Sequence, residues 1–204
     1  MNATKENNEK PTDLEELIHL ALRLGASGAA VVPASEIVVE DRLAELCLKP
    51  KCENYGLGPG CPPHVPGPSG FRERIAAVEN ALIFKIDVPN EVLFSMERRE
   101  VFRLLHEIAA DIENAAVRMG FPHASGYAGG SCKKIFCGDL PDCRVLSGEG
   151  ECRHPGRAKP SMSGFGIDVG KLMRSGGWTM NWGRKSSDPE APSMGMVCGM
   201  VLLG

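Results

Sequence analysis

The chain has few aromatic residues, which make up 5% of its 204 residues, and its formal net charge is only −3. A general nucleic-acid-binding protein is usually basic and often stacks bases on aromatic side chains. The composition therefore argues against nucleic acid as a partner. The hydrophobic content of 43% is ordinary for a globular protein and is sufficient for a packed core.

Long apolar runs are lacking as well. No stretch approaches the roughly 20 apolar residues that cross a bilayer as a helix. The first residues, MNATKENNEKPTDLEEL, are polar and mixed in charge, without the basic and apolar regions of a signal peptide. We therefore expect no membrane association and a cytoplasmic location, where thiols stay reduced.

Cysteine, in contrast, is abundant. The chain has 8 cysteines, and all but Cys198 lie in two short runs. In a reducing compartment, metal binding or catalysis explains such runs better than disulfides do. Isolated cysteines are often just small buried apolar residues, but the clustering argues against that interpretation here.

The later run, GGSCKKIFCGDLPDCRVLSGEGECRHP, has the spacing C-x4-C-x5-C-x8-C. Its members are Cys132, Cys137, Cys143 and Cys152. Four thiolates can surround a tetrahedral zinc ion or a cubane cluster. Structural zinc usually takes ligand pairs about two to four residues apart, and most gaps here are wider. The spacing therefore predicts one [4Fe–4S] cluster in this loop, with zinc as the alternative.

Basic residues accompany this loop, and their charge suits a negatively charged cluster. They are Lys133, Lys134, Arg144, Arg153, Arg157 and Lys159. Nearby cations would stabilise the cluster and raise its reduction potential, although any one of them could simply belong to a solvated face. We expect Arg153 and Arg157 to serve redox tuning or docking, and His154 to be a hydrogen-bond donor or a surface residue.

The earlier run, CLKPKCENYGLGPGCPPHVPG, contains only three cysteines. Cys47, Cys52 and Cys61 have the spacing C-x4-C-x8-C. Either a fourth ligand comes from elsewhere, with Cys198 and His64 as candidates, or one position stays open for chemistry. Cys198 lies in the apolar run GMVCGMVLLG, which favours a place in the core. These three cysteines predict a second cluster whose fourth iron is open or bound by a residue outside the motif.

Two stretches of the chain carry a resemblance to a known family. They are IVVEDRLAELC…C..YG…CPP and GGSCKKIFC…C…CRHPGRAKPSMSGFGIDV, within residues 37–169. They resemble a family described as predicted metal-binding proteins, found largely in anaerobic bacteria and archaea. The resemblance implies cysteine clusters that bind metal but no established activity. An anaerobic setting favours iron–sulfur over zinc.

Periodicity and punctuation predict an α/β or α+β fold, with one main sheet, helices packed on it and two long cysteine-rich metal-binding loops. Residues 1–12 are expected to be a disordered lead, and residues 13–204 a single domain with its cysteine loops at 47–68 and 129–162. Helices are predicted from residue 13 with Thr12 as N-cap, over 69–80, from Asn90 to about 119, and over 167–174. Strands are predicted over 29–42, 81–88, 123–130, 178–182 and 194–204.

Two classes of function are compatible with this sequence. The first is an iron–sulfur redox protein with two [4Fe–4S] clusters, which passes electrons to a redox partner protein or acts on a small substrate at an open iron. The second is a zinc-stabilised binding module without enzymatic activity. The sequence alone leaves open whether the protein is an enzyme, and it specifies neither the substrate nor the oligomeric state.

Overall fold

A computed structural model describes residues 12–179 and 193–204. Its centre is a four-stranded antiparallel sheet in the order β1-β2-β4-β3. The strands are β1 (Gly28–Pro33), β2 (Asn80–Pro89), β3 (Ser125–Tyr127) and β4 (Met194–Leu203). The predicted class, one main sheet with helices packed on it, is confirmed as a mixed α/β fold.

Seven α-helices lie in the described part of the chain, together with two short 3-10 turns. The helices are α1 (Asp13–Arg23), α2 (Asp41–Glu45), α3 (Gly67–Ala76), α4 (Asn90–Leu93), α5 (Arg98–Arg118), α6 (Cys132–Phe136) and α7 (Val169–Ser175). The 3-10 turns are Ala34–Glu36 and Met162–Phe165.

The sheet is covered on both faces. Because successive side chains of a strand point to opposite faces, Leu82 and Phe84 of β2 pack with α1 and α5, whereas Ala81 and Ile83 pack with α3 and α7. β4 alternates in the same way, and its last seven residues are all buried. Because both faces of the sheet are buried, the sequence of β4 is a nearly continuous apolar run although its neighbours are antiparallel.

The start of the chain follows the sequence prediction closely. The Thr12 side chain accepts a hydrogen bond from the Glu15 backbone N–H, and the Glu15 carboxylate accepts one in return from the Thr12 backbone N–H. This capping box satisfies two amides that would otherwise lack partners. Residues 1–11 of the predicted disordered lead lie outside the described residues.

The strand predicted over 29–42 is only half correct. β1 ends at Pro33, and a 3-10 turn follows at once. Beyond it, Val39 makes a single bridge to Ile167, and α2 begins at Asp41. Proline has no N–H to extend the ladder, so the β-branched residues that follow it pack under the loops and do not continue the strand.

The long helix predicted from Asn90 is two helices. α4 ends at Leu93 and α5 begins at Arg98. Between them, Ser95 Oγ donates to the Val92 carbonyl and accepts from the Glu97 backbone N–H. A serine side chain that bonds nearby backbone groups competes with the helical hydrogen bonds, and this accounts for the break.

Other boundaries also differ from the predictions, and the helix predicted over 167–174 is α7, Val169–Ser175. The helix predicted over 69–80 is α3 and ends at residue 76, because β2 begins at Asn80. The strand predicted over 123–130 is the shorter β3. Residues 178–179 of the predicted strand 178–182 are not in a strand, and its remaining residues lie outside the described part of the chain.

Candidate metal centre

The first cysteine loop leaves α2 and folds back through a series of tight turns. The Cys52 backbone N–H donates to the Cys47 carbonyl at 3.0 Å, and the Cys61 N–H donates to the Gly58 carbonyl at 3.1 Å. Cys61 is 6% exposed, whereas Cys47 and Cys52 are half-buried. Local backbone hydrogen bonds therefore bring the three thiols of this run towards one another.

The thiols of the first loop interact electrostatically. Burial raises the pKa of Cys47, and the neighbouring Cys52 and Cys61 raise it further. Burial also raises the pKa of Cys61, with Cys52 adding to the shift. Burial and like charge both disfavour the thiolate, so Cys47 and Cys61 favour their protonated form unless a cation joins them. A metal would release their protons on binding.

Ser131 approaches Cys61 from the other loop. Its hydroxyl is close enough to Cys61 to lower the pKa of that thiol. The same hydroxyl has no hydrogen bond of full geometry with any residue that the structure describes. Because Ser131 is 3% exposed, its hydroxyl is also shielded from water. A buried donor without a full hydrogen bond costs free energy, and a thiolate or sulfide at this position would accept a hydrogen bond from the hydroxyl. Ser131 therefore fits a metal–sulfur centre at Cys61.

The second cysteine loop begins with a short helix that the sequence did not indicate. α6 starts at Cys132, and the Cys137 N–H just beyond it donates to the Lys133 carbonyl at 3.0 Å. The Lys133 ammonium bonds the carbonyls of Cys137 and Leu140 at 2.8 and 2.6 Å. Lys133 thus stabilises the bend that follows the second cysteine of this loop.

The last cysteine of the loop receives a backbone hydrogen bond. The His154 N–H lies 3.4 Å from Cys152 Sγ, while the imidazole ring of His154 stacks on Phe136 at 5.0 Å between centroids. The histidine thus donates through its backbone, and its ring packs against the loop. An amide directed at sulfur stabilises a thiolate.

The two loops meet at Cys61 and Cys132. Burial raises the pKa of Cys132 to about 11, and Cys61, Cys143 and Cys152 all add to the shift, opposed by the Gly60 backbone. Thiols of both loops therefore lie close together around Cys132.

Glycines allow this approach. A Cβ at Gly58 would lie 3.1 Å from Cys132 Sγ, and one at Gly60 would lie 3.1 Å from Pro160 Cα. The Ser161 N–H also donates to the Gly60 carbonyl at 2.9 Å. Side chains at these two glycines would hold the loops apart, so their absence is what lets the thiols meet.

No three Cys, His, Asp or Glu side chains among residues 12–179 and 193–204 converge tightly enough to hold a single metal ion. The thiols of the described residues therefore do not form a preformed cage for one ion. Ligands of one zinc ion at about 2.3 Å lie within roughly 4 Å of each other, whereas each thiolate of a four-iron cluster binds a different iron.

The candidate fourth ligands of the first loop, Cys198 and His64, have other side-chain surroundings. Cys198 lies in β4 within the apolar core beneath α3 and α7, and burial raises its pKa to about 12. The His64 ring is exposed and faces the Gly56 carbonyl at 3.4 Å. Cys198 is therefore a core residue in this structure.

The basic residues of the second loop are tied to neighbouring groups. Arg144 donates to the Glu149 carbonyl at 3.1 Å, and Arg153 lies 3.5 Å from the carbonyl of Asp142. Further side chains form ion pairs: Lys134 with Glu53 of the first loop, Arg157 with Glu107 of α5, and Lys159 with Glu113 of α5. These contacts fix the loop to the other loop and to the scaffold.

His106 of α5 joins the two ends of the second loop, and the sequence did not single it out. Its ring is fully buried, with Nε2 3.0 Å from the Gly129 carbonyl and Nδ1 accepting from the Lys159 N–H at 3.0 Å. These partners require the neutral tautomer with its proton on Nε2. Burial lowers the pKa of His106 to about 4, and the nearby Lys159 ammonium contributes.

A family model described as predicted metal-binding protein, DUF2284, matches residues 30–203. The chain belongs to this family. No curated protein and no solved structure matches the chain significantly. Membership supports metal binding and does not specify the metal.

The helices of the described residues include none that is both long and apolar enough to cross a membrane.

Proposed function

We propose that this DUF2284 protein is a redox protein that holds two [4Fe–4S] clusters. One would be bound by Cys132, Cys137, Cys143 and Cys152, and the other by the three cysteines of the first loop. When bound, such clusters accept and donate single electrons. The observation that supports the proposal most is the junction of the two loops, where Gly58 passes close to Cys132 Sγ and the nearby Cys61 raises the pKa of Cys132.

Two features support clusters over single zinc ions. The Ser131 hydroxyl is buried beside Cys61 and has no other hydrogen-bond partner among the described residues. The His154 backbone N–H is directed at Cys152 Sγ, and the Lys133 ammonium is held at the Cys137 carbonyl; both groups would stabilise the negative charge of a cluster.

The first loop would leave one iron without a protein thiolate. Cys198 is in the apolar core, and the His64 ring contacts a backbone carbonyl. A cluster with three thiolates keeps a position for water, a small thiol or a substrate. Such an arrangement is compatible with electron transfer and with chemistry on a small molecule. An electron-transfer role would require a redox partner protein.

Metal and acid-labile sulfide analysis of the anaerobically purified chain tests the proposal. Two cubanes predict about eight iron atoms and eight sulfides per chain, with a brown colour that fades in air. A colourless protein with stoichiometric zinc would refute the clusters and support the zinc-stabilised binding module.

Single cysteine variants separate the ligands from the core thiol. Cys137→Ser is expected to lose about half of the iron and sulfide, because the second loop would lack one of its four thiolates. Cys198→Ala is the matched control and should keep the full complement. Full iron in Cys137→Ser would remove that residue from the ligand set.

Electron paramagnetic resonance of the reduced protein tests the open iron. Added 2-mercaptoethanol is expected to shift the signal of the first cluster in both the wild type and Cys198→Ala. A first-cluster signal that does not change with 2-mercaptoethanol and is lost in Cys198→Ala would mean that Cys198 is the fourth ligand. That result would favour electron transfer alone.

A further inference from the structure

A cavity of about 500 Å³ lies where the two cysteine loops face α3. Cys132 and Cys152 contribute to its wall, and so does Arg74 near the end of α3. Val65, Val145 and Phe165 give it an apolar lining. Ligand sites are typically apolar hollows of this size with a few fixed polar groups.

Arg74 is held in position by two contacts. Its Nη1 donates to the Tyr127 hydroxyl at 3.0 Å, and its guanidinium carbon lies 5.9 Å from the centre of the Phe165 ring. Tyr127 and Phe165 are almost completely buried, so both supports are rigid. Within the described residues Arg74 has no carboxylate partner, in contrast to Arg72 of the same helix, which pairs with Asp41.

We propose that this cavity binds a small monocarboxylate, with Arg74 as the anchor of the carboxylate group. The planar guanidinium matches a carboxylate with two parallel N–H donors, and one of its nitrogens is already oriented by Tyr127. The apolar lining suits a short hydrocarbon body. Glu151, which also lines the cavity, disfavours ligands with more than one negative charge.

The ligand would lie beside Cys132 and Cys152, on the side of the second loop. The binding inference rests on Arg74, Val65 and Phe165, which are not among the proposed metal ligands, so it does not depend on which metal the cysteines hold. Calorimetry detects the ligand itself, so failure of this inference and failure of the cluster assignment are separate results.

Isothermal titration calorimetry of the anaerobically purified full chain with butyrate tests the site. Butyramide, which has the same shape without the charge, and inorganic phosphate are the comparison ligands. Butyrate is expected to bind more tightly than either. Comparable binding of butyramide would exclude a charge-dependent site, tighter binding of phosphate would exclude the carboxylate class, and no heat with butyrate would overturn the proposal.

Two arginine variants locate the anchor. Arg74→Met is expected to weaken butyrate binding about tenfold to a hundredfold, the usual range for losing a charged hydrogen-bond partner. Arg72→Met removes the same charge from the same helix and should leave binding unchanged. Equal affinities of these two variants would refute the role of Arg74.

Arg74→Lys guards against a folding defect in Arg74→Met, because it keeps the charge next to Tyr127 and Phe165. Lysine lacks the planar fork, so an affinity between those of the wild type and Arg74→Met is expected. Wild-type affinity in Arg74→Lys would exclude bidentate recognition. Thermal unfolding followed by circular dichroism checks that each variant is folded.

Discussion

Acid is expected to destabilise this protein through His106. In the folded chain the ring accepts a hydrogen bond from the Lys159 N–H and faces the Gly129 carbonyl, so it must be neutral. Protonation would put a second N–H opposite the Lys159 N–H and place a charge among buried groups. The Lys159 ammonium, paired with Glu113, adds to the repulsion.

The size of the effect follows from the pKa of His106. Folding lowers it from 6.5 to about 4, so the unfolded chain binds more protons between these values. The stabilising contribution is therefore fully present above pH 6.5 and is lost as the pH falls to 4. At about 1.4 kcal/mol per pKa unit, the loss is about 2 kcal/mol by pH 5 and about 3 kcal/mol by pH 4.

Urea unfolding of the anaerobic protein at several pH values measures this loss. Carboxylates and the cysteine loops also respond to acid, so a matched variant is needed. His106→Gln keeps one donor and one acceptor in the side chain but does not titrate. Between pH 6.5 and 4, the free energy of unfolding of the wild type should fall by about 3 kcal/mol more than that of His106→Gln. Parallel curves for the two proteins would refute the reasoning.

The remaining predictions concern the scaffold around the loops, and urea unfolding at pH 7 measures them all. Glu113→Ala should lower the free energy of unfolding by about 3 kcal/mol, because it leaves the buried Lys159 ammonium unpaired. Glu100→Ala removes a carboxylate from an exposed pair of the same helix and should lower it by less than about 1 kcal/mol. Equal losses in the two variants would contradict this prediction. Gly148→Ala should lower the free energy of unfolding by about 1 kcal/mol, because an alanine is strained at positive φ. Gly166→Ala should lower it further, because a Cβ at this position also meets the Glu40 backbone carbonyl. Equal losses in the two variants would exclude that contact.

The candidate ligands could be identified from the sequence because their signal is local. Four cysteines within one stretch, and three within another, indicate metal binding whatever the rest of the chain does. The family match agrees with metal binding and leaves the ligand set as a prediction. The arrangement of Cys132 beside Cys61 could not be read this way, because spacing along one loop contains no information about the other loop.

The same division applies to the fold. The cap at Thr12, the periodicity of α5 and the apolar run of β4 depend on residues a few positions apart, and the sequence predicted each of these elements. The break after Leu93 and the end of β1 at Pro33 depend on single residues that compete with a strong pattern, and there the prediction overran.

The sequence by itself determined the number of thiols, their grouping and the main elements of the scaffold, because local hydrogen bonding and periodicity are properties of neighbouring residues. Only the tertiary structure decided which groups from distant segments meet. His106 bridges the ends of the second loop, Arg74 lines the cavity between the cysteine loops and α3, and Cys61 lies near Cys132. Such contacts arise from the packing of α3 and α5 on opposite faces of the sheet and from the close passage of two loops at glycines.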